Sequence, residues 1–468
     1  MSSSSTNILF LTNSELGQAN VSLAVAEEFL FHGEFRVHIA SFKPLTASVE
    51  ELNRRCPSIH PAIFHEVDGP CMEDLAIRSH VDLIHHRPGI IGTTEGFQKV
   101  NKAMSSWKPS EYTRAYQRCL DILRETQPVV VVLDPLLHVG LDACQHITTR
   151  LVVLWPVPAK DIVILNQPNA RFLWHYPMVG SGYSYPLPWT LILPNMYLLL
   201  RAAITMSTRN SPERQTSANK NEGQSPFPLK NSYSKESLHL TPAFPQMDFP
   251  LHIPSNVICC GPILRRHPSL SEVDPEMQAW LKKRTILISL GSHVRPSETV
   301  ALEMAKAIRV VLNKHTQFQV LWKLRYDWKE STAFRKVLGT FIDAGSVMIV
   351  PWIQAEIISV LETGNIAVYV HHGGANSYFE ACKVGAPQVI LPQWLDTYDC
   401  ATRVEWLGIG VHGSRKVAPG IEATEFATAM DKVICDERIH LKSAAIRDLC
   451  KTTEGRILAH DKIAELAR

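Results

Sequence analysis

Short apolar runs separated by longer amphipathic stretches recur along this chain in two successive series, and that rhythm constrains the fold more than any other feature. In the first half, "NILFLT", "RVHIASF" and "PVVVVLD" have the unbroken apolar character of strands buried on both faces. Between them, "VSLAVAEEFLFHG", closed by Gly33, and "TRAYQRCLDILRET" carry helical spacing. From Asn256 the alternation restarts with "NVICCGP", "TILISLGS" and a helix "SETVALEMAKAIRVVLNKH" opened by Ser297. It continues through "FQVLWKL", "SVMIVPW", "AEIISVLETG", "IAVYVHHGG", "SYFEACKVG" and "PQVILPQ". Alternation of this kind produces parallel sheets with helices on both faces. The 468 residues exceed one typical core. The pattern therefore predicts an α/β chain of two doubly wound domains. Their expected spans are 1–250 and 251–440, with a C-terminal helical segment over 441–468.

Composition excludes more than it suggests. Apolar residues make up 45% and charged residues 20%, as in soluble globular proteins. A formal charge of +2 offers no electrostatic footprint for nucleic acid and no strong pull toward membranes. The ten cysteines lie apart, except for the neighbours Cys259 and Cys260, and form no C-x-x-C pair or His/Cys ligand spacing. Reduced thiols in the cytoplasm and no metal are expected. The opening "MSSSSTNILF" has no basic n-region, which argues against a cleaved signal peptide. Leu187 to Met206, "LPWTLILPNMYLLLRAAITM", is long enough to suggest a membrane span but contains Pro188, Pro194, Asn195 and Arg201. We read it as a buried or pocket-lining segment, with loose interfacial contact left open. "STRNSPERQTSANKNEGQSPF", Ser207 to Phe227, reads as an exposed loop or insertion, and "LTPAFPQMDFP", Leu240 to Pro250, as the approach to a domain boundary.

Two turns at strand ends carry the chemistry. The first, Ser14 to Asn20, is a polar elbow with Gly17 at its centre. The second follows "IAVYVHH": Gly373 and Gly374 lead into a helix near Asn376 and Ser377. A glycine turn feeding a helix directs free backbone N–H groups at an anion, and the helix dipole favours its charge. Ser377 and Glu380 also have capping-box spacing, which needs no ligand. No G-x-G-x-x-G or Walker sequence is present, which excludes the dinucleotide oxidoreductases.

The segment from Ile366 to Val411 resembles the donor signature of family 1 glycosyltransferases, UDP-sugar-dependent enzymes of the GT-B fold. It carries His372, Gly374, Asn376, Ser377 and Glu380, then Gly385 and Pro387, then Pro392, Asp396 and Ala401 at the family's spacing. The resemblance implies two Rossmann-like domains facing a central cleft, the first binding a small acceptor and the second a UDP-sugar. It implies that Trp352 stacks on uracil and Glu380 holds the ribose hydroxyls. His372, Asn376, Ser377, Gly291 and Ser292 would surround the diphosphate, and Asp396 would hold the sugar. No cofactor besides the UDP-sugar co-substrate is implied. Thr397, counted among the donor-binding residues by its position, and Cys400 replace the family's Gln and Asn, so glucose is only the default sugar. Xylose, glucuronic acid and N-acetylglucosamine stay open. The aromatic and Leu-rich stretch 155–206 suggests an apolar acceptor such as a terpenoid, polyketide or sterol.

The family's general base is a His in the first elbow, and here that position is Gln18. An amide does not accept a proton at ordinary pH. The remaining bases are Asp134, which ends "PVVVVLD", Glu15 in the elbow, or a His such as His85, His86 or His138. Alternatively the acceptor is acidic enough to need only positioning, or the protein is a non-catalytic, sugar-nucleotide-binding accessory.

Overall fold

The computed structural model describes residues 6–145, 149–207 and 234–468. The expected loop at 207–227 therefore lies outside the described residues, apart from Ser207 at a helix end.

Two parallel sheets form, as the alternation predicts. The first contains β1 (Asn7–Leu11), β2 (Arg36–Ser41), β3 (Ile63–Glu66), β4 (Val130–Leu133), β5 (Arg150–Leu154), β6 (Leu238–Thr241) and β7 (Val257–Cys259). Their order is β3-β2-β1-β4-β5-β6-β7. The second contains β8 (Arg284–Ser289), β9 (Phe318–Lys323), β10 (Val347–Val350), β11 (Ile366–His371), β12 (Gln388–Ile390) and β13 (Gly410–His412), in the order β10-β9-β8-β11-β12-β13. Each sheet reverses direction once, between β1 and β4 and between β8 and β11. Ligands of open α/β sheets bind at such reversal points, outside the carboxyl ends of the strands. Both polar turns lie there, one after β1 and one after β11.

Apolar strand residues explain the layers. Ile8, Phe10, Val130, Val132 and Val152 pack with Val21, Val25 and Phe29 of the helix Leu16–His32 in one core. Ile286, Ile288, Val320, Trp322, Val368 and Val370 pack with Ala301, Ala305 and Ile308 of the helix Glu298–Lys314 in another. That second helix opens as expected, with the Ser297 hydroxyl accepting from the Val300 N–H.

The structure moves the expected boundaries. β7 pairs with β6, so "NVICCGP" closes the first sheet instead of opening the second. The C-terminal helices divide between the domains. Glu437–Cys450 lies with the helix Ala375–Val384, whereas Gly455–Ala467 returns to the first domain and contributes Ala459, Ile463 and Ala464 to its core. Arg456 pairs with Glu28 at 2.6 Å, which fixes the returning helix. At the crossing, a Cβ on Gly455 would lie 2.3 Å from the Gly261 carbonyl oxygen and 2.5 Å from that of Pro262, so only glycine fits.

Buried ion pairs hold the two domains together. Lys160 meets Asp399 across the interface, and Arg403 meets Asp248 at 2.8 Å. Asp248 also accepts from the Lys160 backbone N–H at 2.8 Å, so its two oxygens join both partnerships. Leu187 to Met206, expected to be buried or pocket-lining, is only partly buried: Leu187, Asn195, Leu198 and Ala202 are enclosed, whereas Trp189, Leu193 and Leu200 are exposed.

Candidate active site

The helix after β11 starts at Ala375, with Gly374 as its N-cap and no side-chain cap. Ser377 is thus in the first turn, not at the cap, and the capping-box alternative does not form. The N–H groups of Ala375, Asn376 and Ser377 have no carbonyl within the helix to bond. The Ser377 hydroxyl accepts from Tyr369 at 3.1 Å. Gly385, in left-handed conformation, ends the helix.

His372 lies under this turn. Two glycines leave room for its ring: a Cβ on Gly291 would lie 2.7 Å from Cε1, and one on Gly374 would lie 2.5 Å from Nε2. Trp394 covers another side, with ring centroids 4.9 Å apart. Burial, with His371, Lys323 and His293 nearby, pushes the His372 pKa down to about 3, so the ring is neutral. Its Nδ1 is enclosed and has no partner. Gly291 takes a positive φ of 80°, and the Ser292 carbonyl beyond it accepts from Arg325. The loop after β8 is thereby tied to the end of β9.

Glu380, Lys323 and Trp352 form a second group. The Lys323 ammonium lies 4.4 Å from the centroid of the Trp352 ring, which is 46% exposed. Burial and the neighbouring Arg325 push the Lys323 pKa down to about 8, against the pull of Glu380. Enclosure and the Glu356 carboxylate push half-buried Glu380 up to about 8, opposed by Lys323. Sequence reasoning missed Lys323. The available signal was its place as the last residue of β9, at the carboxyl edge of a doubly wound sheet.

Asp396 sits in the first turn of the helix Leu395–Leu407, its pKa pushed up to about 6, chiefly by burial. Thr397 does not belong to the donor set. It is 0% exposed, and its hydroxyl accepts from the N–H groups of Gln393 (2.9 Å) and Trp394 (3.0 Å) and donates to the Trp394 carbonyl. The residue in the family's Gln position here builds the start of a helix.

On the acceptor side, the helix begins at Leu16, so Gly17, Gln18 and Asn20 are helical and not part of a loop. Asp134 is 1% exposed, and both its oxygens accept hydrogen bonds. Its Oδ2 accepts from the Asn13 N–H and Nδ2, both at 3.0 Å, and its Oδ1 accepts from the Leu136 N–H at 2.9 Å. Burial raises its pKa, and these bonds oppose the rise. The expectation that Asp134 is the leading base is corrected: its lone pairs hold the elbow to the turn after β4. Glu15 accepts from the Glu73 N–H at 3.2 Å, while its other oxygen and the Gln18 Oε1 are enclosed without partners. His85 pairs with Asp82 on the surface. His86 is buried at the domain interface, its backbone bonded to Gln393 and to the Tyr398 hydroxyl.

His138 lines a cavity. That cavity, about 20 Å³, is lined by Asn13, Met72, Trp107, Tyr112, Leu137 and His138, among others. No residue of 155–206 lines it, so the apolar wall comes from the helices after β3 and the turn after β4. At the two polar turns the halves meet directly: Asn376 Nδ2 donates to the Leu16 carbonyl at 3.4 Å. The two helix starts therefore face each other.

Residues 116–447 match the family described as UDP-glucoronosyl and UDP-glucosyl transferase. The glycosyltransferase sdnJ of Sordaria araneosa is 33% identical over 98% of each chain. This chain belongs to the UDP-glycosyltransferase family. The fold agrees. Medicago truncatula UGT71G1, solved with UDP-glucose, superposes with a TM-score of 0.66 over 99% of both chains at 14% identity. Phytolacca americana UGT2, solved with UDP-2fluoro-glucose and pterostilbene, gives 0.67 over 99% of this chain and 100% of that one, also at 14%. The glycosyltransferase is thus a GT-B enzyme, and the resemblance of its Ile366–Val411 segment extends to the whole architecture.

One measurable property follows from Glu380. With a pKa raised to about 8, it is largely protonated at pH 7. Sugar hydroxyls donating to it favour the carboxylate, so binding releases a proton. UDP-sugar affinity is expected to rise as pH climbs from 6 toward 8 and then level off. Calorimetry at pH 7 in buffers of different ionisation enthalpy should detect release of a sizeable fraction of one proton, lost in Glu380→Gln. Buffer-independent heats would remove Glu380 from the donor contacts.

Proposed function

We propose that this glycosyltransferase transfers glucose from UDP-glucose to a hydroxyl or carboxyl of a small apolar acceptor of terpenoid, polyketide or sterol type, and that His138 is the base. The carrying observation is that the acceptor cavity and the donor turn share one elbow. Asn13 lines the cavity, and three residues later the Leu16 carbonyl accepts from Asn376. Glucose is favoured by the relatives solved with UDP-glucose and its fluoro analogue. An apolar acceptor is favoured by Met72, Leu75, Trp107 and Leu137 in the cavity wall, and at about 20 Å³, room for about one water, the cavity must widen to admit it.

In this reading the acceptor oxygen attacks the anomeric carbon, the bond from that carbon to the diphosphate oxygen breaks, and UDP departs with inversion. The acceptor proton passes to the His138 imidazole, whose ordinary pKa near neutrality suits a base. Asp134 is a positioning residue: by holding both Asn13 and Leu136 it fixes two walls of the cavity. Gln18 and Glu15 direct their unpartnered oxygens to ligand hydroxyls. Trp352 and Lys323 receive the base, Glu380 the ribose, and Asp396 the sugar. Backbone N–H groups at the helix start, with His372 and the Gly291–Ser292 loop, take the diphosphate, so turnover is expected to withstand EDTA. The unpaired state of all ten cysteines supports a cytoplasmic setting.

The test is UDP release from UDP-glucose, UDP-xylose, UDP-glucuronate and UDP-N-acetylglucosamine with a panel of apolar alcohols, phenols and carboxylic acids. Acceptor-dependent release, fastest with UDP-glucose, is the expected outcome. Thermal stabilisation by a UDP-sugar with no release across the panel would instead identify a binding protein.

A further inference from the structure

The helix Ile192–Ser207 and the turn Trp189–Leu191 before it present an apolar face to the outside of the first domain. Trp189 (83% exposed), Leu193 (77%), Tyr197, Leu200 (58%) and Ile204 recur at helical spacing along one stripe, with Met196 beside them. Trp174, on the neighbouring short helix, is also exposed. Single exposed apolar side chains are ordinary on soluble proteins, but an unbroken stripe of large ones is an interaction surface.

The opposite face anchors the helix. Asn195 is fully buried, accepts from the Met178 N–H at 2.7 Å and donates to the carbonyls of Leu173 (3.2 Å) and Tyr176 (3.1 Å). Leu198 and Ala202 are buried beside it. Withdrawing Asn195 into hydrocarbon would break three hydrogen bonds, so this helix can lie on a bilayer but not leave the domain to span one.

Charge identifies the occupant. Acidic residues number 45 in 468, yet none occurs from Ile162 to Pro212, whereas Arg171, Arg201 and Arg209 do. A segment free of carboxylates that carries the guanidinium groups of Arg171 and Arg201 complements anionic headgroups, and a terminal Trp suits the interface. We propose that this face is a peripheral docking surface for an anionic lipid bilayer, into which Trp189, Leu193, Leu200 and Ile204 insert to headgroup depth. This inference is independent of which acceptor or sugar is used.

Flotation of the full chain with phosphatidylcholine vesicles, with and without phosphatidylserine, tests it. The protein is expected to float with serine-containing vesicles and to be released by salt. Leu193→Glu/Leu200→Glu should weaken recovery about tenfold or more, and exposed Arg171→Glu about tenfold. Both should keep the wild-type melting temperature and UDP release. Failure of the wild type to float overturns the proposal, as does equal recovery on neutral vesicles. A concentration-dependent dimer that only the double variant dissolves would assign the face to a second copy instead. Capture of the stripe by residues 208–233 would also overturn it, and would appear as flotation gained when that segment is replaced by a short Gly/Ser linker.

Discussion

Replacing His138 with glutamine is expected to lower kcat on an aliphatic alcohol about 10²–10⁴-fold near neutral pH, the usual contribution of a general base. Donor affinity should stay at the wild-type value, because His138 lies on the acceptor side of the cleft, in the cavity wall. The reasoning is by access and chemistry together. Asp134 is enclosed, and the Asn13 and Leu136 groups engage both its oxygens. Gln18 has an unpartnered oxygen but no basicity. His138 combines a titratable ring with a place in the cavity wall. Two readouts separate a base from a packing residue. The rising limb of the wild-type pH profile should disappear in the variant. A phenol, whose oxygen ionises more readily, should lose far less rate than an alcohol. Equal losses on both acceptors, with an unchanged pH profile, would transfer the role to Glu15.

Gly374→Ala is expected to weaken UDP-sugar binding about tenfold or more and to destabilise the fold by about 1–3 kcal/mol, the range for an overpacked site. The backbone at Gly374 is at φ −64° and ψ 147°, which alanine adopts without strain, so the variant tests space alone. Its Cβ would lie 2.5 Å from His372 Nε2 and 2.8 Å from Cε1. The ring is also confined by Gly291 and by Trp394. Either the imidazole tilts away from the diphosphate or the first helical turn shifts with its N–H groups. Gly17→Ala is the control for folding: it also lies in the first turn of a facing helix, but nothing approaches its Cβ within 4 Å, so its melting temperature should stay near wild type. A Gly374→Ala protein that binds UDP-glucose normally would show that His372 does not contact the diphosphate.

The sequence made some of this legible and concealed the rest for physical reasons. Strand and helix periods were plain because both faces of each sheet are covered, and the donor turn was plain because its spacing is local to one strand–helix unit. Sheet membership of β7 was not, since a three-residue strand carries no mark of which sheet it joins. Thr397 looked like a sugar contact because the motif counts positions, and counting does not reveal that its hydroxyl bonds backwards to Gln393 and Trp394. The acceptor wall was sought in the most apolar stretch. Part of that apolarity, at Trp189, Leu193 and Leu200, faces outward and part, including Trp155, Ile162 and Tyr176, packs inside the domain, while Met72, Trp107 and Leu137, dispersed through the first 140 residues, converge on the proposed acceptor cavity only once the sheet forms.

The close backbone approach at Gly455 has a topological consequence. The chain leaves the first domain at Gly261 and Pro262 and re-enters it at Gly455, and the two passages touch. The donor half is therefore a guest inserted at a single point of a discontinuous host. Splicing Pro262 to Gly455 would need little added chain and would leave the host with all seven strands and its last helix. The covalent links between the halves run through this doubled thread, so a rotation of one half against the other would bend both passages together.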